Sequence, residues 1–210
     1  MQLFPESEPW AVHRLAVGDG HKLYVEESAA VDGLPVVFLH GGPGSGCSPA
    51  QRRLFDPARF RAILFDQRGC GRSTPLGATE ANTTAHLVAD LERLREYLGI
   101  PAWIVFGGSW GSTLGIAYAQ TFPERVLGLV LRGIFLGSND EIRAYVEGRS
   151  GGSADSWQSF ADAIPAAESA DLLAACARRI LDGDPAIAAP AVSAWLNYER
   201  ALMGESPLNE

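Results

Sequence analysis

Basic charge is scarce in this chain. Across 210 residues, 17 Lys and Arg stand against 25 Asp and Glu, giving a net charge of −8, and no basic patch stands out. That argues against nucleic acid or an anionic membrane as partner. Cysteine is scarce too. Cys47, Cys70 and Cys176 lie far apart and form no C-x-x-C, so neither a disulfide framework nor a zinc site is suggested, and free thiols in a reducing compartment are expected. The longest apolar run, residues 126–136, is short and interrupted, whereas a bilayer span takes about 20 residues. The first ten residues lack the basic-then-apolar pattern of a secretory leader. A soluble cytoplasmic protein is the expectation. Histidine is the last scarcity, and the one with most bearing on chemistry: His13, His21, His40 and His86 are the only four, and none follows position 86.

What is present is ordered. "HRLAVGDGHKLYVEES" (13–28) reads as two strands around Gly18-Asp19-Gly20, a β-hairpin. Three short apolar runs then each break into glycines: "PVVFLHGGPGSG", "RAILFDQRGCGRS" and "WIVFGGSWGS". Unbroken runs of that length predict strands buried on both faces of a parallel sheet. Between the second and third, Leu87, Leu91, Leu94 and Leu98 form one helical face, with Asn82, Thr83 or Thr84 to cap its start and Gly99 its end. A small-residue helix follows the third run and Pro123 closes it; "RVLGLVLRG" is a fourth apolar run. Strand and helix alternate from about 35 to 133, which predicts an α/β fold. From 137 onward only helical patterns occur, broken near Gly151-Gly152-Ser153 and Gly183. Residues 1–136 are therefore expected to form the sheet-bearing core and 137–210 a helical cap.

Gly107-Gly108-Ser109-Trp110-Gly111 fits G-x-S-x-G and sits where that pattern needs to be, between an apolar strand and a helix. There a serine hydroxyl is lifted clear of the sheet at a corner too tight for side chains. "HGGPGSG" (40–46) follows the first of the three runs. It can supply one backbone N–H to an oxyanion, from Gly42 or alternatively Gly41, with Trp110 supplying the other. His40 is read as holding that loop in shape. "DQRGCGRS" (66–73) reads as a structural loop beside the site. Asp66 precedes the serine, whereas the acid of an α/β-hydrolase triad follows it. His13 and His21 are expected at the surface of the hairpin. His86, four residues before Asp90 on the polar flank of its helix, is expected to be solvated or locally paired. The order Ser…Asp/Glu…His cannot be completed within these residues.

Together, "HGGPGSG", "DQRGCGRS", "GGSWGSTLGIAYAQTFPERV" and "LRGIF" resemble the proline iminopeptidases, serine peptidases of the α/β-hydrolase fold. The resemblance runs from about residue 10 to at least 137 and continues more loosely through "AWLNYE". It implies an α/β-hydrolase with an inserted helical cap, part of whose sheet is absent from this chain. It implies release of N-terminal proline from peptides through an acyl-enzyme, with no metal or organic cofactor. Ser109 would be the nucleophile, with Gly42 and Trp110 as oxyanion donors. Glu199 would bind the substrate's amino group, Phe135 and Tyr145 would line the proline pocket, and Arg132 would support the acidic cluster. The family places its triad aspartate and histidine after the cap, so the sequence is expected to be the N-terminal portion of a longer hydrolase. Two rivals are carried with it: an aminopeptidase or small-ester hydrolase of the same fold, and a non-catalytic hydrolase-like binding protein.

Overall fold

A computed structural model describes residues 3–149, 151 and 153–208; Gly152, one of the expected break residues, lies outside the described residues. The elements run β1 (Ala11–Gly18), β2 (His21–Ala29), β3 (Leu34–Leu39), α1 (Pro49–Arg52), β4 (Phe60–Asp66), α2 (Thr84–Tyr97), β5 (Trp103–Gly108), α3 (Trp110–Thr121) and β6 (Val126–Arg132). Among the described residues four α-helices follow: α4 (Asn139–Val146), α5 (Ala154–Asp162), α6 (Leu172–Ile180) and α7 (Pro185–Leu202). Backbone proximity divides the chain into two compact units, one ending at Leu136 and the other starting at Gly137. Among the described residues no helix is long and apolar enough to cross a membrane.

The first unit is a six-stranded sheet in the order β1-β2-β4-β3-β5-β6. β1 and β2 form the hairpin, β2 runs antiparallel to β4, and β4, β3, β5 and β6 are mutually parallel. The turn at Asp19 (φ 52°) and Gly20 (φ 77°) takes left-handed dihedrals at both residues, which matches the twist of a hairpin. Alternation along the strands feeds two apolar layers. Leu23, Val25, Val37, Leu39, Ile63 and Phe65 pack with α2 and α3 through Leu87, Leu91, Leu94, Leu114 and Tyr118. Val36, Phe38, Ala62 and Leu64 pack on Phe55 and Phe106. β3 and β4 are thus apolar on both sides, as the unbroken runs predicted.

α2 starts at the N-cap Thr83, and Gly99 (φ 65°) lies just past its end, so its caps fall where the sequence placed them. His86 folds back to Thr83, its Nδ1 2.8 Å from the threonine Oγ1, and is locally paired. Asp90 is not on a polar flank: it is buried and takes a bidentate bond from Arg68, at 2.6 and 2.8 Å. His21 is also a correction. It is buried rather than at the surface, because β2 lies inside the sheet and the Glu80 carbonyl meets its Nε2 at 3.0 Å. β6 departs from the pattern of its neighbours: Leu127, Leu129 and Val130 are exposed, and it pairs with β5 alone among the described strands.

The second unit is helical, as its sequence predicted. Val146, Phe160, Ile164, Ala175, Cys176 and Tyr198 form its core, with Tyr145, Trp157 and Trp195 packed around them. The Phe160 and Tyr198 rings stack at 5.1 Å. Ser138, Ser153, Asp171 and Asp184 cap α4, α5, α6 and α7, each accepting a backbone N–H of the first turn.

Candidate active site

Three loops leave the carboxyl ends of β3, β4 and β5, and each carries part of the site. The corner after β5 is the tightest. A Cβ on Gly107 would meet the Gly111 carbonyl oxygen at 2.2 Å, and one on Gly111 would meet the Leu39 carbonyl oxygen at 2.1 Å. Both obstacles are backbone, so only glycine fits at either position. Between them Ser109 is exposed at φ 53° and ψ −124°, a conformation that L-residues rarely adopt. Holding a non-glycine residue there costs about 1–3 kcal/mol. The surroundings impose it: the Ser109 N–H donates to the Arg132 carbonyl at 3.0 Å, and its carbonyl accepts the Ser112 N–H at 2.8 Å and the Ser112 Oγ–H at 2.6 Å. No described residue hydrogen-bonds Ser109 Oγ, so the hydroxyl is left free at the start of α3. Ser109 is the N-cap of α3, so the Trp110 N–H in the first turn has no partner within the helix and stands at the positive end of the helix dipole.

The loop after β3 closes on this corner. A Cβ on Gly41 would lie 3.4 Å from Ser109 Cβ and 4.0 Å from Oγ. Gly42 follows at φ 112°, exposed. His40 is buried with three backbone neighbours, the Gly41 carbonyl and the Gly46 and Gln67 N–H groups. Burial lowers its pKa, against the opposing pull of the Gly41 carbonyl and Asp66. Gln67, from the third loop, donates its side-chain N–H to the His40 carbonyl at 3.0 Å and accepts the Trp110 indole N–H at 3.0 Å. This third loop is structural, as expected. Its Asp66 is fully buried and accepts from the Cys47 N–H (2.6 Å), the Arg72 N–H (2.8 Å) and the Arg72 Nε–H (2.8 Å). Burial alone would raise its pKa; the Arg72 guanidinium and the two backbone donors outweigh it and hold the carboxyl below the usual range. Asp66 ties the loops together and orients no base.

The remaining expected residues fall as follows. Phe135 is half-buried and bonded to the first turn of α3, its N–H donating to Ser112 Oγ at 3.0 Å and its carbonyl accepting from Thr113 Oγ1 at 2.6 Å. The Arg132 side chain runs along Gly108, where a Cβ would meet its Cγ at 3.3 Å. In the second unit, the Tyr145 hydroxyl donates to Glu199 at 3.3 Å, and its ring packs against Trp195 and Tyr198 at 5.8 and 5.7 Å. Glu199 is half-buried rather than solvated, and burial raises its pKa against the hydrogen bonds of Tyr145 and Trp195. Burial likewise pushes the Tyr145 hydroxyl upward, reinforced by Glu199.

Sequence reading missed the buried ion pairs that carry these loops. Arg52 holds Glu26 at 2.7 Å, and Arg68 joins Asp90 to Asp19 of the hairpin turn. The available signal was a polar run, "DQR", directly after an apolar strand, where burial demands partners for each group.

A profile of the alpha/beta hydrolase fold family matches residues 35–187. The chain is 51% identical over 201 residues to a proline iminopeptidase of Arabidopsis thaliana, covering 94% of this chain and 52% of that protein. It is 46% identical over 208 residues to a proline iminopeptidase of Neisseria gonorrhoeae, covering 98% of this chain and 67% of that one. Among solved structures it resembles a proline iminopeptidase-related protein from Thermus thermophilus, with a TM-score of 0.57 and 24% identity over 92% of this chain and 66% of the other, a likeness of fold. The chain thus spans between about half and two thirds of the length of these curated relatives.

Proposed function

This chain belongs to the α/β-hydrolase family and, within it, to the proline iminopeptidases, and from that premise we propose that the whole protein is a serine aminopeptidase releasing N-terminal proline from peptides. The observation that carries the proposal is Ser109, exposed and strained at the start of α3 with the Gly41–Gly42 loop against it. Ser109 Oγ attacks the carbonyl carbon of the terminal proline. The carbonyl oxygen becomes an anion and is met by the N–H groups of Gly42 and Trp110. Collapse breaks the bond to the next residue's nitrogen, which leaves as an amine with the proton taken from Ser109, and water then hydrolyses the prolyl ester. The proton passes through a base. The four histidines of this chain bond elsewhere and none hydrogen-bonds Ser109, so none of them is assigned as that base.

The residues proposed for the proline are Glu199, Phe135, Tyr145 and Arg132. An N-terminal proline is a secondary ammonium on a compact apolar ring, which a partly desolvated carboxylate and aromatic walls suit. A carboxylate whose pKa is raised by burial gains by pairing with that cation. Division of the chain into a catalytic core to residue 136 and a cap from 137 belongs to the same proposal.

The test compares rates on proline arylamides, alanine arylamides and short acyl esters. Turnover of proline arylamides alone supports the proposal; preference for the others would move the protein to another aminopeptidase or esterase. Glu199→Gln is expected to raise KM for proline arylamide about ten- to a hundredfold, the range for losing a hydrogen bond to a charged group, with ester hydrolysis unchanged. Binding of the cationic substrate should strengthen as pH rises through the elevated Glu199 pKa, because only the ionised carboxylate pairs with the ammonium. A KM for proline arylamide that is flat with pH, and equal in the variant, would remove Glu199 from this role.

A further inference from the structure

We infer that His40 is a positioning residue that fixes the Gly41–Gly42 peptide plane, and through it the aim of the Gly42 N–H beside Ser109. The inference rests on the reading of Ser109 as nucleophile and assigns a function to a side chain that touches no substrate.

The ring's contacts select its tautomer. Nε2 lies 3.0 Å from the Gln67 N–H, and Nδ1 lies 2.9 Å from the Gly41 carbonyl and 3.2 Å from the Gly46 N–H. A carbonyl only accepts and a backbone N–H only donates. With the proton on Nδ1, the ring donates to Gly41 and accepts from Gln67, which satisfies the two shorter contacts and gives up only the longest, the Gly46 N–H at 3.2 Å. With the proton on Nε2, N–H faces N–H at Gln67, a lone pair faces the Gly41 oxygen, and only the longest contact is made. The imidazolium is worse, setting N–H against N–H on both sides. His40 is therefore neutral and protonated on Nδ1.

That proton sets the geometry next to the nucleophile. In a trans peptide the carbonyl and the following N–H point in opposite directions. Anchoring the Gly41 carbonyl on the ring turns the Gly42 N–H away from it, while Gly41 itself lies against Ser109. Glycine at both positions leaves the plane free to rotate, so it needs an anchor. Gln67 extends the arrangement to the second donor, because it bonds both the His40 carbonyl and the Trp110 indole. One buried imidazole and one amide thus hold in register the two segments that carry the oxyanion donors.

Three measurements on the intact gene product test this. Long-range 1H–15N spectra of the wild type should show His40 protonated at Nδ1 and bare at Nε2; the reverse tautomer, or an imidazolium at neutral pH, overturns the assignment however the variants fold. His40→Leu should lower kcat by about 10²-fold, near the lower bound for deleting an oxyanion donor, with KM little changed. His40→Gln offers one donor and one acceptor and should recover most of that loss. Equal losses in both variants, no loss in His40→Leu, or a loss confined to KM would overturn it. Rates are read on proline arylamide and on a short acyl ester. Ester hydrolysis without arylamide hydrolysis would sink the peptidase reading while the ester still reports on His40. Failure on both substrates, with no labelling by a fluorophosphonate, would remove the nucleophile and this assignment with it.

Discussion

Ser109 and Asp66 stand at the carboxyl ends of the two strands that flank β3, and each is a polar side chain delivered there by an apolar run. Asp66 is buried and accepts from Cys47 and Arg72 through both oxygens. Ser109 is exposed, its backbone is held in a strained conformation, and no described residue hydrogen-bonds its hydroxyl. The same fold position therefore yields a structural knot in one loop and a candidate nucleophile in the next. Reactivity follows from which bonds are left unmade, and the strain at Ser109 persists because Arg132, Ser112, Gly107 and Gly111 over-determine the corner.

Substitutions sharpen that contrast. The largest expected effect is on rate: Ser109→Ala should lower kcat by about 10⁴- to 10⁶-fold, as loss of a serine nucleophile does, with the urea midpoint nearly unmoved. Asp66→Ala should do the reverse to stability, lowering it by about 2–4 kcal/mol. That is below the full cost of orphaning a buried ion, since Arg72 is partly exposed. The pH dependence has a definite sign. The folded-state pKa of Asp66 is depressed, so its contribution is present above the ordinary value of 3.8 and is lost as pH falls through the folded pKa. The Asp66→Ala variant should lack that part of the acid destabilisation; a variant whose acid unfolding matches the wild type would break the contrast. The smallest effect is the most diagnostic. Ser109→Gly should abolish turnover yet raise stability by about 0.5–1 kcal/mol in urea titrations, because glycine adopts φ 53° without strain. A destabilised Ser109→Gly would mean that the corner stores none.

Much of this was legible in the sequence because the signals are local. The three glycine-terminated apolar runs became β3, β4 and β5, the leucine stripe became α2, and G-x-S-x-G fell on the strand-to-helix corner. What could not be read depends on distant partners. His21 looked like a hairpin surface residue, and only the approach of the Glu80 carbonyl buries it. Asp90 sat on the apparent polar side of α2, and Arg68 draws it inward from another loop. β6 reads like its neighbours, yet Leu127, Leu129 and Val130 are exposed, since periodicity records what a strand can bury and not what lies beside it. Glu199 is half-buried because the Tyr145 hydroxyl reaches it and the Tyr145 ring packs on Trp195, contacts between distant residues that helical periodicity does not record.

The central claim is that Ser109 is the nucleophile, and one measurement addresses it directly. The intact gene product is treated with a fluorophosphonate and its peptides are mapped by mass spectrometry. A single adduct on Ser109 is expected, formed in step with loss of proline arylamide turnover and absent from Ser109→Ala. An adduct on another residue, or full turnover with Ser109 unmodified, would contradict it.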